Sequence, residues 1–122
     1  MTLVDSSVWV DHLRKGVPEL VLALEAGEVL GHPHVVGELA CGNLRHRSGV
    51  LKLLQQLPQV TVATDEEALA CLEARRLHGR GLGWVDVHLL ASALLTPCRL
   101  WTRDAALAAA AGHHGVAASP NR

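Results

Sequence analysis

The chain has 122 residues, of which 49% are hydrophobic and 19% are charged, and its formal net charge at pH 7 is −1. This length suits one domain, and the composition excludes a disordered chain, which needs low hydrophobicity and a high net charge. No apolar run approaches the roughly 18 residues of a membrane-spanning helix. The three cysteines form no Cys-x-x-Cys pair of the zinc type and no secretory signal is present, which predicts a reduced, cytoplasmic protein that does not bind membranes.

The predicted elements alternate between strands and helices along the whole chain. Apolar or β-branched runs predict strands at 1–5, 28–31, 60–63, 99–102 and 116–117. Glycine, proline and capping residues bound predicted helices at 8–13, 19–26, 33–44, 49–57, 65–78, 85–95 and 104–111. The alternation predicts an α/β fold with three layers, α/β/α, around a central parallel sheet of four to five strands. We expect a single domain over residues 1–122.

Four carboxylates fall in sequence that should be buried. Asp5 ends the first apolar strand, and Asp104 closely follows the strand at 99–102. Glu38 lies in the apolar start of a helix, and Asp86 opens the most apolar helix of the chain. An unpaired buried carboxylate costs several kcal/mol or changes its protonation, so some partner must compensate each one. Asp5, Glu38, Asp86 and Asp104 are called the acidic set below.

The acidic set is predicted to meet at one edge of the sheet. Each member lies just past a strand or near a helix start, and these places converge at the carboxyl ends of parallel strands, where ligands bind. Ser7 and Thr102 add hydroxyl groups there. One aspartate in such a place is more often a helix N-cap, but four carboxylates in buried contexts favour a cation that offsets their repulsion. Oxygen ligands favour Mg²⁺ or Mn²⁺ over zinc, and such ions promote phosphodiester hydrolysis.

The charge outside the acidic set is positive. Without these four acids, eight acidic residues face eleven basic ones, which leaves about +3. Any single basic residue is more often ordinary surface, but several are candidates to hold a phosphate backbone: Arg14, Lys15, Arg45, Arg47, Arg75, Arg76, Arg80, Arg99 and Arg103. Trp84 and Trp101 either stack on RNA bases or fill the core, and core packing is favoured because the chain has no Phe or Tyr.

Four segments, in this order, resemble the PIN-domain nucleases, and within them the VapC toxins of bacterial toxin–antitoxin pairs. The first reads LVDSSVW at 3–9, the second is Glu38 in its helix, the third reads DVHLLASA at 86–93, and the fourth reads LWTRD at 100–104. Each segment alone is a weak signal, but all four in order are fairly specific.

This resemblance implies an Mg²⁺- or Mn²⁺-dependent endoribonuclease that cuts tRNA or rRNA. The acidic set would bind the metal and carry catalysis, with Ser7 and Thr102 assisting. Such toxins are typically homodimers, and a VapB-type antitoxin blocks the site, often with a basic side chain. The complex binds operator DNA only through the antitoxin. Asp11 is left outside the site, as a cap or dimer-face residue.

Three other functions are compatible with parts of the sequence. A phosphoacceptor receiver-like domain would use Asp65 after the third strand, but it needs a second acid where Ser6 and Ser7 stand. A PIN-like binding module without catalysis has the same sequence signature. Zinc hydrolysis lacks a His-Glu-x-x-His spacing, although four histidines are available: His32, His34, His113 and His114.

Overall fold

The structure is a computed structural model that describes residues 1–118; residues 119–122 of the expected domain lie outside the described residues. Strands and helices follow one another much as predicted. Their bounds are β1 Thr2–Val4, α1 Ser6–Lys15, α2 Pro18–Glu25, β2 Val29–Leu30, α3 Pro33–Ala40, α4 Arg47–Gln56, α5 Asp65–Ala74, α6 Trp84–Leu95, β3 Arg99–Trp101 and α7 Ala105–His113.

β1 is the central strand of a parallel sheet with the order β2-β1-β3. Leu3 pairs with Leu30 on one side and with Leu100 on the other. Successive strand residues point to opposite faces of a sheet, yet Leu3 and Val4 are both 0% exposed. Both faces of the sheet are therefore covered, which confirms the α/β class and the parallel sheet between helical layers.

The predicted strand at 60–63 is wrong. This segment reaches β2 only through a single parallel bridge between Gly31 and Gln59. Beyond it, the amide of Thr61 donates to the hydroxyl of Thr96, and the amide of Ala63 donates to the hydroxyl of Ser92. Because hydroxyl groups at and just beyond the end of α6 accept these amides, the segment follows the helix instead of extending the sheet.

The predicted strand at 116–117 is likewise reduced to one parallel bridge, between Leu100 and Ala117. The amide of Leu100 donates to the carbonyl of Val116, and the amide of Ala118 donates to the carbonyl of Leu100. Within residues 1–118 the sheet thus has three strands with one bridge at each edge, and not the four to five strands predicted. The carboxyl ends of β1 and β3 remain adjacent, and this adjacency positions the site.

Two helices end earlier than predicted. α3 ends at Ala40, and the guanidinium of Arg47 donates to the carbonyls of Ala40 and Gly42, which satisfies acceptors left at the helix end. α5 ends at Ala74, since Arg76 adopts a left-handed φ of 52° that no helix can continue.

α6 is the buried helix of the fold. Every residue from Val87 to Ala93 is buried, as the apolar sequence at 85–95 predicts. Asp86 lies in the first turn of this helix, at the margin of the core. Even this helix, of 12 residues, is too short to span a membrane, and the same holds for every other helix within residues 1–118.

Candidate active site

Asp5 lies at the carboxyl end of the central strand, directly before the first residue of α1. The residue is buried, with 4% of its surface exposed. Its Oδ2 accepts hydrogen bonds from the hydroxyl groups of Ser7 and Thr102, both at 2.7 Å. The side chain caps no amide of α1. Hydroxyl groups therefore orient this carboxylate, and the helix-cap reading does not hold for Asp5.

Ser7 and Thr102 connect the ends of β1 and β3. Each hydroxyl donates its proton to Asp5 and accepts a backbone amide: Arg103 N donates to Ser7 Oγ at 2.9 Å, and Asp104 N donates to Thr102 Oγ1 at 3.0 Å. Since both protons go to Asp5, the 3.3 Å approach of the two hydroxyl oxygens to each other is not a further hydrogen bond. The predicted assisting residues thus hold Asp5 in place.

Glu38 reaches the same edge from α3. Its side chain is exposed, and Oε1 accepts a hydrogen bond from Ser6 Oγ at 2.9 Å. Ser6 Oγ also lies 3.4 Å from Asp5 Oδ1. Ser6 therefore connects two members of the acidic set. Ser6 has no predicted role in the site, although its position beside Asp5 in the first motif is a usable signal.

Asp86 is half-buried, and its Oδ2 accepts the amide of Gly83 at 2.9 Å. Burial raises the pKa of Asp86 above its ordinary value; the hydrogen bond from Gly83 opposes this, while the negative charges of Asp104 and Asp5 add to it. Asp86 therefore lies close enough to Asp104 and Asp5 for their negative charges to act on it.

Asp104 does act as a helix cap. Its Oδ2 accepts the amide of Leu107 at 2.9 Å, in the first turn of α7. The helix-cap reading thus holds for this residue, but it occupies one carboxylate oxygen only. Asp104 is exposed, and its amide is bound by Thr102, which ties it to Asp5 through one hydroxyl group.

The donor chemistry of the acidic set fits a hard divalent cation, because all its ligand atoms are carboxylate oxygens. Mutual repulsion, visible at Asp86, also favours a cation there. However, no group of three or more His, Cys, Asp or Glu side chains among residues 1–118 is arranged around one point so as to hold an ion. Hydroxyl groups thus connect Asp5, Glu38 and Asp104, and Asp86 is related to them through charge alone. Among the described residues the acidic set is not closed into a finished metal site.

His32, one of the four histidines available for zinc, has a structural role. His32 is 0% exposed and forms the N-cap of α3, where its Nδ1 accepts the amide of His34 at 3.0 Å. Its Nε2 then carries the proton and donates to Ser92 Oγ at 3.0 Å. Burial lowers the pKa of His32 to about 4, with smaller contributions from His34 and His88. His32 is therefore a neutral connector between α3 and α6.

The structure also shows the surroundings of Asp65, Trp84 and Trp101. Thr64, and not Asp65, caps α5, and Asp65 Oδ1 lies 2.9 Å from Nε2 of the buried His88. The approach is too poorly aligned for a hydrogen bond, since neither ring nitrogen of His88 has one within the described residues. Trp101 is 2% exposed and belongs to the core, whereas Trp84 is 44% exposed and packs edge-on against His88.

Two of the candidate phosphate contacts, Arg103 and Arg14, are paired with Asp11. Arg103 contacts Asp11 at 2.8 Å, and Arg14 contacts the same carboxylate at 3.3 Å. The hydrogen bond from Arg103 lowers the pKa of Asp11 below its ordinary value, which burial opposes and nearby positive charges reinforce. Asp11 is thus an ion-pair partner on α1, and Arg103 is not available as an unpaired phosphate contact.

Comparisons with known proteins agree with this geometry. The family model described as the PIN domain matches residues 2–113. Two curated relatives, both called Ribonuclease VapC32 and both from Mycobacterium tuberculosis (strains CDC 1551 / Oshkosh and ATCC 25618 / H37Rv), are 50% identical to this chain over 118 residues. The matches cover 96% of this chain and 95% of each relative.

Proposed function

The chain belongs to the PIN-domain family, and we propose that it cleaves RNA phosphodiester bonds with Mg²⁺ or Mn²⁺ bound at the acidic set. It is a ribonuclease of the VapC type, the toxin of a toxin–antitoxin pair. The observation that carries the proposed site is Asp5: a buried carboxylate, held by two hydroxyl groups where β1 and β3 end, whose charge reaches Asp86.

Several carboxylate oxygens of the acidic set are available to a cation. Asp5 uses Oδ2 for two hydroxyl groups, and its Oδ1 has only the 3.4 Å contact with Ser6. Asp86 and Asp104 each use Oδ2 for one backbone amide, and within residues 1–118 their Oδ1 atoms accept no hydrogen bond. These oxygens, with the exposed carboxylate of Glu38, would hold the ion.

The remaining groups orient this set. When bound, a divalent ion lowers the pKa of an attacking water and neutralises charge on the phosphate oxygens. Ser7 and Thr102 fix the angle of the Asp5 carboxylate, and Ser6 holds Glu38 next to it. Asp86 binds a proton more readily than an ordinary aspartate, because of burial and neighbouring charge. A cation at the site would displace that proton and complete the set.

A groove beside Glu38 suits the antitoxin. A cavity of about 850 Å³ lies between α1 and the α3–α4 region, with Glu38 on its wall. Val10 and Leu13 line it and are 49% and 40% exposed, so the groove carries accessible apolar surface. We assign this groove to an apolar segment of a VapB-type antitoxin, which would bring a basic side chain to Glu38. The other apolar wall residues are Leu39, Leu44 and Val50.

The proposed assembly is a homodimer in the cytoplasm, where its substrate, tRNA or rRNA, is found. Cys41, Cys71 and Cys98 are free thiols in the structure, which suits a reducing compartment. Operator DNA would be bound only by the complex with the antitoxin. Light scattering after size exclusion measures the mass of the isolated chain, and a monomeric mass contradicts the dimer.

The experiment that tests the nuclease is cleavage of total RNA by the purified protein with Mg²⁺, with Mn²⁺ and with EDTA. Glu38→Gln is compared with Glu19→Gln, which removes the same charge from the exposed surface of α2. We expect discrete fragments that require metal and are lost only in Glu38→Gln. Cleavage that persists in EDTA contradicts the metal. Absence of cleavage in a folded, antitoxin-free sample supports a binding module without catalysis.

A further inference from the structure

A second cavity, of about 340 Å³, lies between α7 and the segment that follows α5. One wall is the alanine face of α7, formed by Ala106, Ala109 and Ala110. The other residues around it are mostly basic: Arg75, Leu77, Arg80, His113 and His114. No carboxylate is among the described residues that line it. This cavity is called the basic cleft below.

The basic side chains of the cleft are held in place without being neutralised. Arg75 Nη1 lies 3.0 Å from His114 Nδ1, and Arg80 Nε donates to the carbonyl of Arg76 at 3.0 Å. These contacts leave most N–H donors of both guanidinium groups unused. Within residues 1–118 neither arginine forms an ion pair, in contrast to Arg103, which is paired with Asp11.

Electrostatics within the cleft favour an added anion. Burial lowers the pKa of His114, and the positive charges of Arg75, His113 and Arg80 lower it further. His114 therefore accepts the hydrogen bond from Arg75 as a neutral ring. The guanidinium groups of Arg75 and Arg80 line the same partly enclosed space without a carboxylate among its described lining residues, so a bound phosphate would offset their charge.

The cleft begins close to the acidic set. Ala106 lies two positions after Asp104. Gly81, which follows Arg80, packs against Ala106: a Cβ added at Gly81 would lie 3.6 Å from the Cβ of Ala106. From Ala106 to His113, α7 extends by about 10 Å at the helical rise per residue. The small alanine side chains leave space for a chain to lie along the helix. The cleft thus runs away from the reaction centre.

We propose that the basic cleft binds a backbone phosphate of the RNA substrate, at a distance along the strand from the phosphate that is cut, through Arg75, Arg80 and His113. This inference rests on the proposed nuclease function and deepens it. It predicts that RNA long enough to follow α7 binds more tightly than an RNA that reaches only the acidic set.

The test is RNA binding in EDTA, measured by fluorescence anisotropy at several salt concentrations. Arg75→Gln and Arg80→Gln, singly and together, are compared with Lys52→Gln, which removes one charge from an exposed residue that does not line the cleft. We expect at least fivefold weaker binding in the double arginine variant. The slope of log affinity against log salt should also become shallower, by about one released counterion. Arg75→Lys/Arg80→Lys should recover part of the affinity because it keeps the charge.

Circular dichroism, RNA cleavage and the melting temperature with added phosphate distinguish the possible results of this test. Circular dichroism must show that the arginine variant is folded; if it is not, the lysine variant and a His113→Gln variant carry the comparison. A loss in Lys52→Gln equal to that in each single arginine variant, or no loss in any of them, overturns the cleft even where RNA is cleaved normally. Cleft-dependent binding without cleavage supports the cleft and refutes the nuclease. Inorganic phosphate that raises the melting temperature only when both arginines are present, with RNA binding unchanged, overturns the RNA assignment in favour of a small anion.

Discussion

The hydroxyl group of Thr102 donates to Oδ2 of Asp5 at 2.7 Å, across 97 positions of sequence. The same hydroxyl accepts the amide of Asp104. One side chain thus fixes the distance between the end of β1 and the start of α7, each of which carries a member of the acidic set. The two strand ends are neighbours because β1 pairs with β3 in parallel.

Replacing Thr102 by Val therefore tests the connection directly. The shape is kept, but Asp5 loses one donor and the amide of Asp104 loses its acceptor, which should lower the free energy of unfolding by about 1–3 kcal/mol. Thr102→Ser should stay close to the wild type. Urea unfolding measures both, with the exposed Thr61→Val as the control. Equal stability of the two Val variants would contradict the proposed linkage.

Asp5→Asn separates catalysis from folding. The amide oxygen of Asn still accepts hydrogen bonds from Ser7 and Thr102, so the change in unfolding free energy should stay within about 1 kcal/mol. Metal-dependent RNA cleavage should fall by at least about 100-fold, because a charged ligand is lost. Asp11→Asn removes a carboxylate from the same helix region outside the acidic set, and should keep its activity. Loss of the folded circular-dichroism signal in Asp5→Asn would make this residue structural.

The sequence predicts the elements of the site better than the edges of the sheet. Asp5, Asp86 and Asp104 are found near one another because strand ends and helix starts of a parallel sheet meet on one side. Local sequence patterns are enough to predict where these strands end and these helices start. The strand at 60–63 fails because its amides bond to Thr96 and Ser92, two hydroxyl groups about thirty positions away that no local pattern reveals.

The contacts between side chains could not be predicted from the sequence either. Ser6, which connects Asp5 to Glu38, looked like one more small polar residue in the first motif. Arg103 looked like a phosphate contact, but Asp11, far away in sequence, neutralises it. Arg75 and Arg80 are distinguished from the other arginines only by the cleft around them. Each of these properties depends on contacts between distant segments.

His32 makes stability depend on pH. Its pKa in the folded protein is about 4, against 6.5 for an ordinary histidine, so below pH 6.5 the unfolded chain binds a proton that the folded chain does not. The stabilising contribution is complete above pH 6.5 and is lost as the pH falls towards 4, by roughly 2–3 kcal/mol. Urea unfolding at pH 7 and pH 4.5 measures this loss.

The matched variant for this measurement is His32→Asn. Asn is a good N-cap and can still accept the amide of His34, but it does not titrate. It should be less stable than the wild type at pH 7, because the contact with Ser92 is lost, and the difference should shrink at pH 4.5. A constant difference between the two proteins at both pH values would show that His32 does not drive the pH dependence.

The raised pKa of Asp86 predicts that added metal reverses which protein is more stable, the wild type or Asp86→Asn. Its pKa is raised in the folded state, so the stability that comes from its protonated form is present below the unfolded pKa and is lost as the pH rises through the folded pKa. At pH 7 in EDTA the ionised group is therefore unfavourable, and Asp86→Asn, which can still accept the amide of Gly83, should melt at a higher temperature than the wild type. With millimolar Mn²⁺ the melting temperature of the wild type should rise the most, so that the wild type then melts at a higher temperature than Asp86→Asn.

Glu66→Gln, an exposed change on α5, is the control and should follow the wild type in both conditions. Equal gains in the wild type and Asp86→Asn would place the cation away from Asp86, and no gain at all would count against a metal at the acidic set.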